Sequence, residues 1–301
     1  MKRNIGLFTI LWTFVMLAGC TLPVRQTPTV TPFVFPTLPP TQALPTFPPT
    51  NTPPPATATP TFTAVPPTPS PTFVLPTATP TPQSARSGTT AVALFMSKAP
   101  NFDGVWNEWK SKEYPARFLV FGSNKAGGQT YDLEGSYRVA WDNTYLYLAA
   151  KVHVPFYVQQ ATGANLYKGD SLEILFDANL AGDFNTKSLT GDDYQIGISP
   201  GQNNQVGNNP EAYLWFPSSR AGSLSNVKIG TTSSEGLYRV EVGIPWSTFK
   251  VTPANGQTYG FVFSISYDLT PGAASQDALV SSISTRVLTD PTTWGSLTLS
   301  K

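Results

Sequence analysis

Between Thr21 and Arg86 the chain cannot build a core. These 66 residues carry 20 of the 30 prolines, 18 threonines, no Asp or Glu, and only Arg25 and Arg86 as charges. Each proline locks φ near −65° and removes a backbone donor, which excludes helix interiors and central strands. No Gly-X-Y period is present, so a collagen triple helix is excluded too. Segments such as 45–50 (Pro-Thr-Phe-Pro-Pro-Thr) predict extended polyproline II, a semi-rigid spacer of ~3.1 Å per residue. A ligand for proline-recognition domains or an O-glycosylated stalk are the other readings of such a composition. Phe33, Phe35, Phe47, Phe62 and Phe73 have no evident task in a spacer. Folding therefore falls to the C-terminal part, whose ten prolines are an average load.

The start of the chain reads as an address. Met1-Lys2-Arg3 is followed by the apolar run Ile5–Leu17, then Leu17-Ala18-Gly19-Cys20. Thirteen helical residues span about 20 Å, short of the ~30 Å hydrocarbon core, so a secretory signal fits better than a membrane span. The last four residues resemble the bacterial lipobox, which implies cleavage before Cys20 and acylation of it. Cys20 is the only cysteine, so no intrachain disulfide can brace the fold. The expected organisation is a signal peptide over 1–19, a lipid anchor and Pro/Thr-rich linker over 20–88, and a folded domain over 89–301. The expected location is the bacterial cell envelope, extracytoplasmic, with the membrane reached through acylated Cys20.

All 18 acidic residues lie after position 100, which leaves the folded part slightly acidic. Nucleic acid, which calls for a basic stripe, is excluded as a partner. From Thr89 onward the pattern alternates with period two. In Tyr238–Ile244, Tyr238, Val240, Val242 and Ile244 share one face, with Arg239 and Glu241 on the other. Ser136–Trp141, Tyr145–Val154, Ser171–Phe176, Tyr194–Ser199, Tyr213–Phe216, Tyr259–Tyr267 and Ser296–Leu299 read similarly, separated by Gly, Asn, Asp and Pro clusters. No window of eleven residues shows a helical stripe. About nine or ten strands with short connections predict an all-β domain, an antiparallel β-sandwich of jelly-roll type.

Six elements, in order, resemble the carbohydrate-binding modules of family 9. They are Phe102-Asp103-Gly104 with Glu108-Trp109; Val139–Asp142 with Tyr145–Tyr147; and Gly169–Ile174 with Asp177. Tyr238–Glu241 with Ile244–Trp246, Tyr259–Phe261, and Asp290-Pro291 before Trp294-Gly295 complete the set. The resemblance implies a β-sandwich that binds sugars of the xylan or cellulose type without catalysis, in association with glycoside hydrolases and often with calcium. It also implies an aromatic clamp. Tyr167 matches the first clamp position, and Glu173 the acid that hydrogen-bonds the sugar. The second clamp position falls near Leu288, and the family's arginine falls near Gly197, so both are missing. Arg286 is a candidate replacement for the lost donors, and Trp215, within Tyr213–Phe216, a second stacking platform. Trp141, Trp246 and Trp294 read as packing residues, while Trp109 reads equally well either way.

Three other functions stay open at this stage. A surface protein-interaction or structural domain is the main alternative. Glycosidase chemistry needs two carboxyl groups ~5–10 Å apart. Asp170 and Glu173, three apart on one strand, point to opposite faces, and the adjacent Asp192 and Asp193 sit in a loop. Haem would need axial ligands from His153 and Met96. For calcium, the loop acids Asp183, Asp192, Asp193, Asp268 and Asp277 are candidates, although none forms an EF-hand pattern.

Overall fold

The computed structural model describes residues 85, 86 and 88–301. The signal segment, Cys20 and almost all of the linker lie outside the described residues. In chain order the strands are β1 (Thr90–Phe95), β2 (Tyr114–Ala116), β3 (Phe118–Gly122), β4 (Lys125–Ala126) and β5 (Gln129–Thr130). They continue with β6 (Gly135–Trp141), β7 (Tyr145–His153), β8 (Ser171–Asp177), β9 (Asp193–Ser199), β10 (Glu211–Phe216) and β11 (Gly222–Ser223). The last are β12 (Lys228–Ser234), β13 (Leu237–Pro245), β14 (Thr258–Tyr267), β15 (Ala278–Ser281) and β16 (Gly295–Ser300). The only α-helix among the described residues is the single turn Trp246–Phe249.

All eight alternating runs are strands, with ends within about two residues of expectation. The unexpected ones are short, edge-lying or poor in alternation. In β12, KIGTTSS offers one aliphatic side chain and pairs only with β13. Fourteen strands form one continuous sheet, β11-β10-β9-β8-β14-β16-β1-β6-β7-β13-β12, with β15 and β3 branching from β14 and β2 from β6, while β4 and β5 make a separate two-stranded ribbon. Pairing is antiparallel except where β1 runs parallel to β16 and to β6.

The sheet curls so that its two halves face each other. Tyr137 of β6 meets Phe263 and Phe261 of β14 at 4.8 and 5.9 Å between ring centroids. Tyr238, Val240, Val242 and Ile244 all enter this core, as alternation requires. Burial of such side chains contributes roughly 1.5–3 kcal/mol each. Trp141, Trp246 and Trp294 are buried, so they pack rather than bind.

The outer face of β7 and β13 is covered as well. Here Glu241 is buried, accepting hydrogen bonds from Trp109 Nε1 (2.6 Å) and the Gly104 amide (2.7 Å). The Asp-Gly…Glu-Trp segment is therefore a strap closing over β13, and Trp109 is a structural residue. Gly104 needs to be glycine: its φ is +76°, and a Cβ would stand 2.6 Å from Thr232 Cγ2.

Candidate functional site

The site lies on the outer face of the layer β9-β8-β14-β15. Glu173 projects outward because its neighbours Leu172 and Ile174 enter the core. Its rung runs Tyr213–Gly197–Glu173–Ser264–Ser281 across β10, β9, β8, β14 and β15. Apart from Glu173, the middle of that rung carries only small side chains. The surface is therefore hollow there, forming a cavity of about 620 Å³.

The structure brings together four expected site residues, Tyr167, Glu173, Trp215 and Arg286, around this cavity. Tyr167 comes from the 3-10 turn Gly163–Lys168 just before β8. The turn is held from beneath: buried Gln159 donates to the Leu166 carbonyl (2.9 Å), and Ser266 Oγ donates to the Tyr167 carbonyl (2.8 Å). The Tyr167 side chain is left about a third exposed. Trp215 sits at a register shift in the β9–β10 pairing, and its indole N–H donates to the Ala164 carbonyl (2.8 Å). The two rings meet edge to face, 6.0 Å apart at 75°.

The polar side of the cavity is built on Glu173. One carboxylate oxygen is ion-paired with Arg286 Nη2, and the other accepts from Gln195 Nε2 at 2.8 Å. Ionised carboxylates offer about four lone-pair positions, so both oxygens keep acceptor capacity. Arg286 Nε is buried and has no partner among the described residues. Gln276, which donates to Ser266 Oγ (3.0 Å), adds a planar amide to the lining. An arrangement of two aromatic faces, one carboxylate and three planar nitrogen-bearing groups can hold a polyhydroxylated ring by stacking and bidentate hydrogen bonds. Glu173 is the single carboxylate lining the cavity. Asp170 is buried elsewhere, where its Oδ2 accepts from the Val158 amide (2.6 Å) and burial holds its carboxyl well above the usual range.

Leu288 also lines the cavity, but it is packed against the cluster around Trp294. The wall includes one aromatic that alternation did not reveal: Phe121, on β3, is 53% exposed and registered opposite Leu279. Its strand reads FLVFG, an unpatterned apolar run. Gln195 was legible in principle, as an outward position of the alternating run Tyr194–Ser199.

A second cluster occupies the far end of β8. Asp177, Asp183 and Asp192 place carboxylate oxygens within 4.8 Å of one another. Asp193, paired with Asp177 across β8 and β9, lies beside them. Thr190 Oγ1 is 2.9, 2.7 and 3.2 Å from Asp183, Asp192 and Asp193, yet one hydroxyl donates only one proton. Asp183 Oδ1, Asp192 Oδ2 and Asp193 Oδ1 are buried with no donor among the described residues. Burial and the neighbouring carboxylates push Asp193 up to about 7; Asp177 is raised by burial to about 6, against the pull of Arg86. Arg86, within the expected linker, is itself buried, its Nη1 2.9 Å from Asp177 Oδ2. A hard divalent cation that takes oxygen ligands fits this donor set.

Of the five loop acids expected for calcium, Asp183 and Asp192 are in the cluster with Asp177, and Asp193 lies beside it. Asp268 and Asp277 are not: they accept from Thr270, Ser275 and Leu269 within their own loop. Met96 follows β1 and donates its amide to Trp141, which stands opposite Leu146 near the start of β7, whereas His153 ends that strand, roughly 20 Å away at the rise of a strand and too far for both to ligate one haem.

Residues 100–301 match the family described as carbohydrate family 9 binding domain-like. A stretch of 151 residues, 50% of this chain, is 28% identical to endo-1,4-beta-xylanase A of Thermotoga maritima, and covers 12% of that protein. Among solved structures, a family 9 carbohydrate-binding module from Caldicellulosiruptor kristjanssonii in complex with cellotriose superposes with a TM-score of 0.52 at 21% identity. The match covers 70% of this chain and 94% of that one. The same organism's module with glucose gives 0.51 at 22% identity, over 70% and 95% of the two chains. At these identities the superpositions show the fold.

Proposed function

We propose, from the premise that the chain belongs to the carbohydrate family 9 binding domain-like family, that the cavity on β8 captures plant-type polysaccharide without cleaving it. The observation that carries this reading is the convergence of Tyr167, Trp215, Glu173 and Arg286, drawn from four separate segments, on one hollow. Tyr167 and Trp215 offer apolar faces to the C–H side of a sugar ring. Glu173 accepts from its hydroxyls, and Arg286 and Gln195 donate. Arg286, ion-paired with Glu173, takes the task of the donors missing at Gly197. Phe121 stands in for the aromatic missing at Leu288. Modules of similar fold are described in complex with cellotriose and with glucose, and a curated relative is a xylanase, which supports β-linked glucans and xylans as the first ligands to test.

The same reading sets the domain at the end of a lipid-anchored tether, with Cys20 acylated and residues 20–88 spanning the gap from a bacterial membrane. The acidic cluster Asp177–Asp183–Asp192–Asp193 holds calcium, which neutralises carboxylates that otherwise repel and so braces the β8–β9 end. Titrating the full chain with cello- and xylo-oligosaccharides, while following tryptophan fluorescence and heat, tests the capture reading. A saturable signal that Tyr167→Ala weakens supports it. Silence across both series, with calcium present, sinks it and favours a protein-interaction or structural domain.

A further inference from the structure

The opposite outer face carries a second hollow, about 330 Å³, between the loop 104–107 and the strands β7 and β13. Lys151 and Arg239 stand opposite each other in the β7–β13 ladder and form its floor. Trp106 forms a wall, with the Arg138 guanidinium 5.5 Å and the Lys151 ammonium 5.7 Å from its ring centroid. Trp106 Nε1 is buried with no acceptor among the described residues.

One cation here has no ion-pair partner among the described residues. Glu113 is shared between Arg138 (3.3 Å) and Lys151 (2.9 Å). Glu241, under the strap, is occupied by Trp109 and Gly104, and Asp103 Oδ1 accepts from the Val105 amide. Arg239 makes no ion pair with any described residue. The hollow thus presents an unpaired guanidinium beside a lysine ammonium, unused N–H donors and one aromatic wall. Phosphate or another small anion would use the charge and leave Trp106 idle, and a neutral sugar would meet cations without an acidic group to pair.

We propose that this hollow is a second carbohydrate site, selective for a sugar bearing a carboxylate, such as a hexuronic acid. The carboxylate lies on Arg239 and Lys151, where bidentate contact with a guanidinium is favoured. The ring lies against Trp106, and Asn107 meets its hydroxyls. The site stands independently of the cavity at Tyr167, because the two occupy opposite outer faces of the sandwich. Together they would let one domain grip both a neutral backbone and an acidic branch of the same polysaccharide.

The test titrates the full chain with D-glucuronic acid, D-glucose and sodium acetate, each to millimolar concentrations, by calorimetry and tryptophan fluorescence. The proposal expects glucuronate to bind at least tenfold more tightly than acetate, and more weakly as ionic strength rises. Arg239→Gln should lower glucuronate affinity at least tenfold and Trp106→Ala about fivefold or more. Tyr167→Ala should leave it unchanged, and all three variants should keep melting temperatures near that of the parent. Acetate competing as well as glucuronate, glucuronate bound equally by the Arg239→Gln protein, or no glucuronate binding at all would each overturn it. Loss of glucuronate binding in Tyr167→Ala but not in Arg239→Gln would assign the acid to the first cavity and overturn it equally.

Discussion

The indole of Trp215 fills the space that a side chain on Gly197 would occupy: a Cβ there would lie 2.2 Å from its Cη2 and 2.5 Å from its Cζ3. Either a side chain stands at 197 or the ring lies across it.

Gly197→Ala tests that exclusion. The added methyl must displace an indole pinned by its bond to Ala164, and Leu166 Cδ1 is also close, at 2.7 Å. Overpacking of this kind costs about 1–3 kcal/mol. The expected outcome is a lower melting temperature, a red-shifted tryptophan emission and weaker oligosaccharide binding. Unchanged emission would show that the ring does not rest on Gly197.

The Glu173–Arg286 pair is almost entirely withdrawn from solvent, with side chains 10% and 7% exposed. Truncating one member strands the other's charge, at about 3–5 kcal/mol for a buried pair. Arg286→Met alone should destabilise the domain on that scale. Adding Glu173→Gln should restore much of the lost stability while leaving oligosaccharide binding abolished. Denaturant melts and calorimetry on the single and double variants read the two effects separately.

The sandwich was legible because strands buried on one face must alternate, and Tyr238, Val240, Val242 and Ile244 do so without exception. Tyr167 and Glu173 were legible through motif order. What escaped depends on curvature. Phe121 reaches the cavity because β3 pairs with β15, and Trp215, named from the sequence as a platform, lies across Gly197, a packing that no linear pattern announces. Glu241 lies on the outer face where alternation puts it, and the strap at 102–109 buries it there.

Phe121→Ala separates binding from folding. More than half exposed on an edge strand, Phe121 adds little to the core, so truncation should change stability by no more than about 0.5 kcal/mol. If its ring forms the second wall, affinity for cello-oligosaccharides should fall by about 1 kcal/mol or more, the scale of an interface anchor. An affinity equal to the parent's would leave the clamp with a single aromatic side.

Calcium should stabilise the domain through the acids at the β8–β9 end. A ligand at a hundredfold excess over its dissociation constant adds ~2.7 kcal/mol, and the melting temperature should rise with calcium and fall with a chelator. Asp193→Asn should abolish that response, because its buried Oδ1 has no other donor. Arg86→Ala should strengthen it, since Arg86 supplies Asp177 with a competing positive charge. A calcium response that survives Asp193→Asn would move the site.

Glu113 sets an acid limit on stability. Burial alone would raise its carboxyl, but hydrogen bonds from Ser136 and Lys151, the Lys151 charge and a hydrogen bond from Arg138 outweigh it and lower it to about 2. Unfolded, it titrates near the ordinary glutamate value of ~4.3. Between those pH values the unfolded chain binds the extra proton, so stability rises with pH across the window. The contribution is full above about pH 5 and disappears as pH falls through about 2. Because roughly a third of this side chain meets solvent, salt should shrink the effect. Glu113→Gln should therefore be less stable than the parent at pH 7, with the two stability curves converging toward pH 2. Parallel curves across that range would show that Glu113 titrates alike in the folded and unfolded chains.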